Sequence, residues 1–275
     1  MTGAAAPFTR YHDTTRQTAG QSIAPVSSFV RVAVYPTAGE ASICVVVPRR
    51  EDAGPGSEAP AAELDAGSSW ERANVRARSR SRRYITANRL RYMWVLTFSG
   101  SGLHGADGRR ECMSEVAQFV RRLGPELRGG AYWYSPELHP GGHGWHVNLF
   151  VGRRIPHADL EKLWRRGYVW VKDWTRDSRV KGATFLERLR AGASYGAKYA
   201  AKDWSVEMLE RGAHRYELAQ GHEPLVVLAE TDTLAAGLAV AEMRCGPAVR
   251  VWRSSDDDEW EGPPCWVAFF GGPSG

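Results

Sequence analysis

AYWYSPELHPGGHGWHVNLFVG, residues 131–152, contains two aromatic and β-branched segments separated by the short connection HPGGH. That connection is too short for a parallel crossover, so the stretch predicts an antiparallel hairpin. Residues two apart on a strand share a face, which places His146 and Asn148 together and their apolar neighbours on the other side. Hairpin pairing would also bring the carboxylate of Glu137 beside His146. The hairpin is therefore predicted to be apolar on one face and to carry polar, reactive groups on the other.

The segments around this hairpin predict an α+β protein. Before it come an apolar strand, MWVLTF (93–98), and a helix near 112–123; after it come a helix that opens at Pro156 and a strand, YVWVKDW (168–174). A further helix is predicted from Ala193 or Ser194 to about Arg211. The order β-α-β-β-α-β-α favours a central antiparallel sheet of about five strands flanked by helices.

Three regions are predicted along the chain: an N-terminal extension and linker (1–69), a core (70–221) and a C-terminal extension (222–275). The first contains two strand-like segments, SFVRVAVYP (28–36) and ASICVVVP (41–48), and a Gly/Pro/Ala-rich stretch at 51–69. The last contains two more, EPLVVLA (223–229) and AVRVW (248–252). The acidic stretch DDDEWEGPP (256–264) is expected to be a solvated, mobile tail.

Composition limits the function classes. The chain has 275 residues, 43% of them hydrophobic, and a formal net charge of +5. Its four cysteines form no C-x-x-C pair, which argues against a structural zinc site and a disulfide framework. No apolar run reaches the length of a membrane span and the first residues lack a secretory signal, so we expect a cytoplasmic protein without membrane contact.

Arginine is concentrated in residues 70–92, WERANVRARSRSRRYITANRLRY, which hold eight arginines and one acidic residue. Such a block is a candidate contact for nucleic-acid phosphates. A solvated helix or flexible arm is the alternative. The candidate DNA-binding residues are Arg76, Arg78, Arg80, Arg82 and Arg83.

A second pattern lies in ASYGAKYAAKD (193–203), where Tyr195, Lys198, Tyr199 and Lys202 fall on one helical face. The small alanines beside them favour close helix packing and would leave this stripe facing a cleft. Alternatively, the tyrosines pack on the sheet and the lysines are solvated. A tyrosine hydroxyl, with a pKa near 10, needs a nearby cation or a metal-polarised target to act as a nucleophile at neutral pH.

The polar face of the hairpin is a candidate metal site. Glu137, His146 and Asn148 would offer carboxylate, imidazole and amide donors, a set better suited to Mg²⁺ or Mn²⁺ than to a closed zinc site. His139 or His143 could add a ligand. A structural histidine and a hydrogen-bonded asparagine are the alternative interpretation.

Taken in order, the strand WVLTF, the His-Val-Asn strand with its upstream glutamate, and YGAKYAAKD resemble the three motifs of the HUH endonuclease superfamily. The resemblance covers about residues 72–220 and is nearest to the rolling-circle replication initiator (Rep) proteins of bacterial plasmids and phages. The arginine-rich lead-in and HRYELAQG (214–221) are similar to initiators from actinobacterial mobile elements. The resemblance implies an RRM-like, ferredoxin-like core.

The resemblance also implies an activity: metal-dependent, site- and strand-specific nicking and rejoining of single-stranded DNA. Tyr199 would be the main nucleophile and Tyr195 a second one, with a 5′-phosphotyrosine intermediate and a free 3′-hydroxyl that primes synthesis. Lys198 would neutralise phosphate, and Lys202 would contact DNA. The implied partners are origin DNA, as a single strand or hairpin, and the host helicase and DNA polymerase, in the bacterial cytoplasm.

The chain departs from the family pattern at Asn148, where a histidine is usual; an amide oxygen can still coordinate Mg²⁺ or Mn²⁺, or His143 could be recruited. If only one tyrosine acts, Asp203 is the nearby acid that could activate water for termination. A transposase of the same superfamily is a close alternative. A relaxase is less favoured because its tyrosine commonly precedes the histidine motif. A catalytically silent DNA-binding regulator is the alternative from a different class.

Overall fold

The computed structural model describes residues 28–47, 66–100, 102–139, 144–176, 183–201, 214–260 and 262–271. In this part of the chain, ten strands form two five-stranded antiparallel sheets accompanied by five α-helices, which confirms the α+β class. The elements are β1 (Phe29–Tyr35), β2 (Glu40–Val46), α1 (Ala66–Ala87), β3 (Tyr92–Leu96), α2 (Gly105–Leu127), β4 (Tyr132–Leu138), β5 (Trp145–Val151), α3 (His157–Trp164), β6 (Val169–Asp173), α4 (Phe185–Ala200), β7 (Glu217–Leu218), β8 (Val227–Thr231), α5 (Leu234–Cys245), β9 (Ala248–Arg253) and β10 (Cys265–Phe270).

The first sheet has the strand order β6-β3-β5-β4-β7 and contains the predicted hairpin as β4 and β5. Its register pairs Glu137 with His146 and Ser135 with Asn148. One face buries an apolar core against α2 and α3, in which Phe119 and Trp164 make an edge-to-face contact. The other face carries the polar hairpin residues and is covered by α1 and α4. One face of the sheet is therefore purely structural, and the other carries side chains that could take part in chemistry.

The second sheet has the order β8-β1-β2-β10-β9, so strands from both ends of the chain build it. The N-terminal strand pair and the strands at 227–231 and 248–253 were expected from sequence, whereas α5 and β10 were not. Helix α5 covers one face and buries Val32, Ile43 and Phe270 in a separate core. The two predicted extensions therefore share a single sheet.

Helix boundaries differ from the sequence prediction. Helix α4 begins at Phe185, not near 193, because Thr184 and Glu187 form a capping box: each side chain bonds to the backbone N–H of the other. The predicted continuation of this helix to 211 lies outside the described residues. Helix α1 begins at Ala66, inside the segment expected to be a linker.

The acidic stretch expected to be a mobile tail is partly ordered. A 3-10 turn, Ser254–Asp256, follows β9. Trp260 then packs its ring edge-to-face on Trp252, with centroids 5.4 Å apart. The stretch is therefore a connection between β9 and β10 and not a tail, and its residues 256–260 are exposed as expected.

Glu40, at the start of β2, links the second sheet to helix α1, which covers the first sheet. Its carboxylate, 2% exposed, accepts hydrogen bonds from Arg82 and Arg83 of α1 at 2.7–2.9 Å. Arg190 of α4 donates to the Gly39 carbonyl at 2.7 Å and also to that of Phe270. Helices α1 and α4 of the first sheet are thereby held to the ends of the internal strands β2 and β10 of the second sheet. None of the described helices is long and apolar enough to cross a bilayer.

Candidate active site

Strands β4 and β5 bring three polar side chains together on the face of the first sheet that α1 and α4 cover. His146 Nε2 lies 3.0 Å from Glu137 Oε2, and Asn148 Nδ2 donates to the same oxygen at 3.2 Å. Glu137 and Asn148 are buried, and His146 is only slightly exposed. The cause is the register, since Glu137 and His146 are directly paired and Asn148 follows two residues later on the same face.

Helix α4 places Tyr199 against this group. Tyr199 is 5% exposed, and burial raises the pKa of its hydroxyl well above the usual value, with a hydrogen bond to Tyr195 and the negative charge of Glu137 acting in the same direction. The phenol is therefore protonated at neutral pH, and the Glu137 carboxylate is near enough to act on it. A protonated phenol beside a carboxylate is a pair within which a proton can be transferred.

Tyr195 and Lys198 complete the stripe predicted from sequence. The half-buried Tyr195 ring packs on Trp174 at 5.1 Å and edge-to-face on Tyr199 at 5.3 Å. The exposed Lys198 places its ammonium 4.1 Å from the Tyr195 ring centroid and 4.6 Å from that of Tyr199. The expectation that the whole stripe faces a cleft is wrong for Tyr199, because the helix packs so closely on the sheet that this tyrosine is enclosed.

The polar group on the hairpin contains side chains that can bind a divalent cation. Among the described residues, no group of three His, Cys, Asp or Glu side chains could hold a metal. The Asn148 amide is not counted in such a group. Together with the His146 imidazole, it contacts one oxygen of the Glu137 carboxylate. His146 Nδ1 is buried and has no hydrogen-bond partner within the described part of the chain, and the ring of His139 lies 5.8 Å from that of His146. These donors fit Mg²⁺ or Mn²⁺; His143 lies outside the described residues.

The candidate DNA-binding arginines fall into two groups. Arg82 and Arg83 are directed to Glu40, and Arg83 also lies over the Tyr35 ring at 4.2 Å. Arg76, Arg78 and Arg80 are exposed along α1. Lys202 and Asp203, the other predicted participants, lie outside the described residues.

Trp174 is a residue of the site that sequence reasoning missed. It follows β6, supports the Tyr195 ring and lies against Gly192 of α4, where an added Cβ would meet its ring at 2.5 Å. Lys172 Nζ also approaches the Trp174 ring, at 3.5 Å. The signal was the aromatic end of the strand segment YVWVKDW, because an aromatic side chain at a strand end can support a helix that crosses it.

Comparison of the chain with protein-family models, with curated proteins and with solved structures finds no match. The class of site is therefore defined by its own geometry. A buried tyrosine on a helix packs against a carboxylate, imidazole and amide group on the face of an antiparallel sheet, with a lysine over the tyrosine rings.

Proposed function

We propose that this protein is a rolling-circle replication initiator, a DNA nickase and strand transferase that works through a tyrosine. The observation that carries the proposal is the contact between Tyr199 of α4 and Glu137 of the hairpin, next to His146 and Asn148. Two motifs that are far apart in sequence meet at one point, and each contributes a group that phosphodiester chemistry requires.

In the proposed reaction, Tyr199 loses its proton toward Glu137, and its oxygen attacks the scissile phosphorus. The bond from phosphorus to the 3′-oxygen breaks, and that oxygen takes up the proton held by Glu137 to become the 3′-hydroxyl. The DNA 5′-phosphate stays on Tyr199. Lys198 stabilises the phenolate and the phosphate charge through its exposed ammonium. Glu137, His146 and Asn148 would hold Mg²⁺ or Mn²⁺, which would supply Lewis acidity toward the phosphate.

In this proposal Tyr195 makes the second transfer. Its ring touches that of Tyr199 and it shares the Lys198 ammonium, so a second strand can be attacked from nearly the same position. In this proposal the substrate is origin DNA, as a single strand or hairpin. A host helicase and DNA polymerase extend the free 3′-hydroxyl in the bacterial cytoplasm.

A catalytically silent DNA-binding regulator is the second candidate. The observation that favours it is the enclosure of Tyr199, together with the Asn148 side chain, which donates to Glu137 without a metal between them. A buried tyrosine packed between a helix and a sheet is also what a purely structural role would produce. The two candidates differ in one product, a covalent bond between protein and DNA.

The test is adduct formation on labelled single-stranded origin DNA with Mn²⁺, resolved under denaturing conditions. We expect an adduct with wild type, its loss in Tyr199→Phe or in the Tyr195→Phe/Tyr199→Phe double variant, and its retention in Tyr168→Phe, since Tyr168 is 78% exposed on another part of the first sheet. Tight binding to origin DNA without any adduct would favour the silent regulator.

A further inference from the structure

Two cysteines that are far apart in sequence are direct neighbours in the second sheet. Cys44 of β2 pairs with Cys265 of β10 in the antiparallel register. The adjacent pair is hydrogen bonded, because the Val45 N–H donates to the Pro264 carbonyl at 2.9 Å. The Cys265 N–H donates away from β2, to Ser254 Oγ at 3.0 Å. Since the two kinds of pair alternate along an antiparallel ladder, Cys44 and Cys265 form a non-hydrogen-bonded pair, in which side chains lie closest together.

The spacing of such a pair suits a disulfide bond. The Cα atoms of a non-hydrogen-bonded pair are about 4.5 Å apart, and disulfides join Cα atoms that are about 4.4–6.8 Å apart. Both cysteines are free thiols in the structure. A bond at the short end of that range is more easily reduced than one of ordinary spacing. The pair can therefore be bridged without moving the strands, and the bridge is expected to be reversible.

The surroundings of the pair make Cys44 the more reactive thiol. Cys44 is partly exposed, whereas Cys265 is buried. The neighbouring Cys265 thiol lowers the pKa of Cys44 against the effect of burial, and the Arg83 guanidinium lowers it further. Arg83 is held there by its bond to Ser42, two residues before Cys44 on the same face of β2. A thiolate beside a guanidinium is the nucleophilic form of cysteine.

The other two cysteines lie in different surroundings. Cys112 is fully buried in the core of the first sheet, and burial raises the pKa of its thiol to about 12. Cys245, at the end of α5, packs on the core that covers the opposite face of the second sheet, and burial raises its pKa as well. These two thiols therefore serve as internal controls for the reactivity of the pair.

We propose that Cys44 and Cys265 form a reversible disulfide that locks β2 to β10 when the protein meets a small-molecule disulfide. The Cys44 thiolate attacks one sulfur of that molecule, whose S–S bond breaks and releases one small thiolate. Cys265 then attacks the Cys44 sulfur of the mixed disulfide and releases the second. The protons of the two protein thiols pass through water to the released thiolates. Two protein thiols are thus oxidised, and the small disulfide is reduced to two thiols.

The crosslink joins segments from the two ends of the chain. It stabilises the folded state because it restricts the unfolded chain between two strands that are far apart in sequence. It also fixes β2, whose Glu40 and Ser42 hold Arg83 of α1. Reversible bonds of this kind are the disulfides found in reducing compartments. The inference does not depend on the proposed function, since the thiol chemistry is measured without DNA.

The experiment equilibrates the full chain with mixtures of reduced and oxidised glutathione, traps free thiols with N-ethylmaleimide and counts them by mass spectrometry. We expect oxidation of wild type to remove two thiols without adding glutathione, to link the peptides that contain Cys44 and Cys265, and to be reversed by dithiothreitol. Cys112 and Cys245 should remain alkylated. The melting temperature of the oxidised protein should be about 5–10 °C above that of the reduced protein.

Single substitutions test the order of the two steps. Cys265→Ser should stop at a mixed disulfide with glutathione on Cys44, and Cys44→Ser should retain its remaining thiols and melt at one temperature in both conditions. Cys245→Ser is the matched control, because it removes a thiol of similar exposure and should keep the crosslink and the rise in melting temperature. Circular dichroism of the reduced variants shows that they are folded.

Four outcomes would overturn the proposal. The first is retention of all four thiols by wild type in oxidised glutathione alone, and the second is a stable glutathione adduct on Cys44 in place of the crosslink. The third is a crosslink that persists in Cys44→Ser, and the fourth is an unchanged melting temperature after the crosslink has formed. Adduct formation with DNA through Tyr199 is scored separately, so failure of the disulfide and failure of the nicking activity are distinguishable.

Discussion

At the scale of the residue, the account depends on the surroundings of one hydroxyl group. Burial, Tyr195 and Glu137 all raise the pKa of Tyr199, so the enclosed phenol keeps its proton until a base or a cation changes the balance. Glu137 is at once the neighbour that raises this pKa and the nearest proton acceptor. The exposed Lys198 ammonium acts in the opposite sense because it favours a phenolate.

We predict that Glu137→Gln lowers the pKa of Tyr199, because the substitution removes the carboxylate charge that disfavours the phenolate. The measurement is an NMR titration of tyrosine labelled at the ring carbon that bears oxygen. Glu217→Gln is the control: Glu217 raises the pKa values of Tyr132 and Tyr134, so it should change those tyrosines and leave Tyr199 as it is. An unchanged Tyr199 titration in Glu137→Gln would contradict the proposed pairing.

At the scale of the element, helix α4 positions the tyrosines because small residues let it approach the sheet. Gly196 lies over Phe150, where an added Cβ would meet a ring carbon at 2.6 Å, and Ala197 and Ala200 are fully buried. The sequence predicted the alanines as packing residues and the tyrosines as a stripe. It did not predict the depth of Tyr199, because burial depends on how closely two distant elements approach.

Gly196→Ala is predicted to destabilise the protein by about 1–3 kcal/mol, since the buried Phe150 ring has little room to yield. It should also shift α4 and reduce adduct formation. The free energy of unfolding in urea and the adduct yield measure the two effects. Ser194→Ala, at an exposed position of the same helix, should stay within about 0.5 kcal/mol of wild type. Equal stability of the two variants would show that α4 does not pack as described.

At the scale of the whole molecule, local patterns were predictable and long-range pairings were not. The 131–152 hairpin followed from its short turn and its alternation, and the pairing of Glu137 with His146 followed from the hairpin. The second sheet could not be predicted from local patterns. Its strand β2 pairs with β10 across most of the chain, and no local signal encodes that contact. Helix α5, LAAGLAVAEMRC, is apolar on nearly all sides and so lacks the period that identifies a surface helix.

Glu40 is predicted to make the stability of the molecule depend on pH. Burial alone would raise the pKa of Glu40, but its bonds to Arg82 and Arg83 outweigh burial and lower it below 4.5. A lowered folded-state pKa contributes stability that is present above pH 4.5 and is lost as the pH falls through the folded value. Urea unfolding across pH 3 to 7 should show this loss in wild type.

Replacing the Glu40 carboxylate tests this pH dependence of stability directly. We expect Glu40→Gln to lower the free energy of unfolding at neutral pH by about 3 kcal/mol, because it leaves partly buried arginines without their counter-charge. Its stability should also vary less than that of wild type below pH 4.5. Glu230→Gln, an exposed control on β8, should change stability by less than about 0.5 kcal/mol. A wild-type pH profile in Glu40→Gln would contradict the role of Glu40 between the sheets.

The most direct test of the central claim is to locate the DNA-linked residue by peptide mapping. After reaction with single-stranded origin DNA and nuclease trimming, trypsin cleavage after Arg190, Lys198 and Lys202 places Tyr195 and Tyr199 in separate peptides, 191–198 and 199–202. The account predicts a nucleotide on the 199–202 peptide in the first transfer. A nucleotide found only on a peptide without either tyrosine, or no covalent product from DNA that the protein binds tightly, would contradict it.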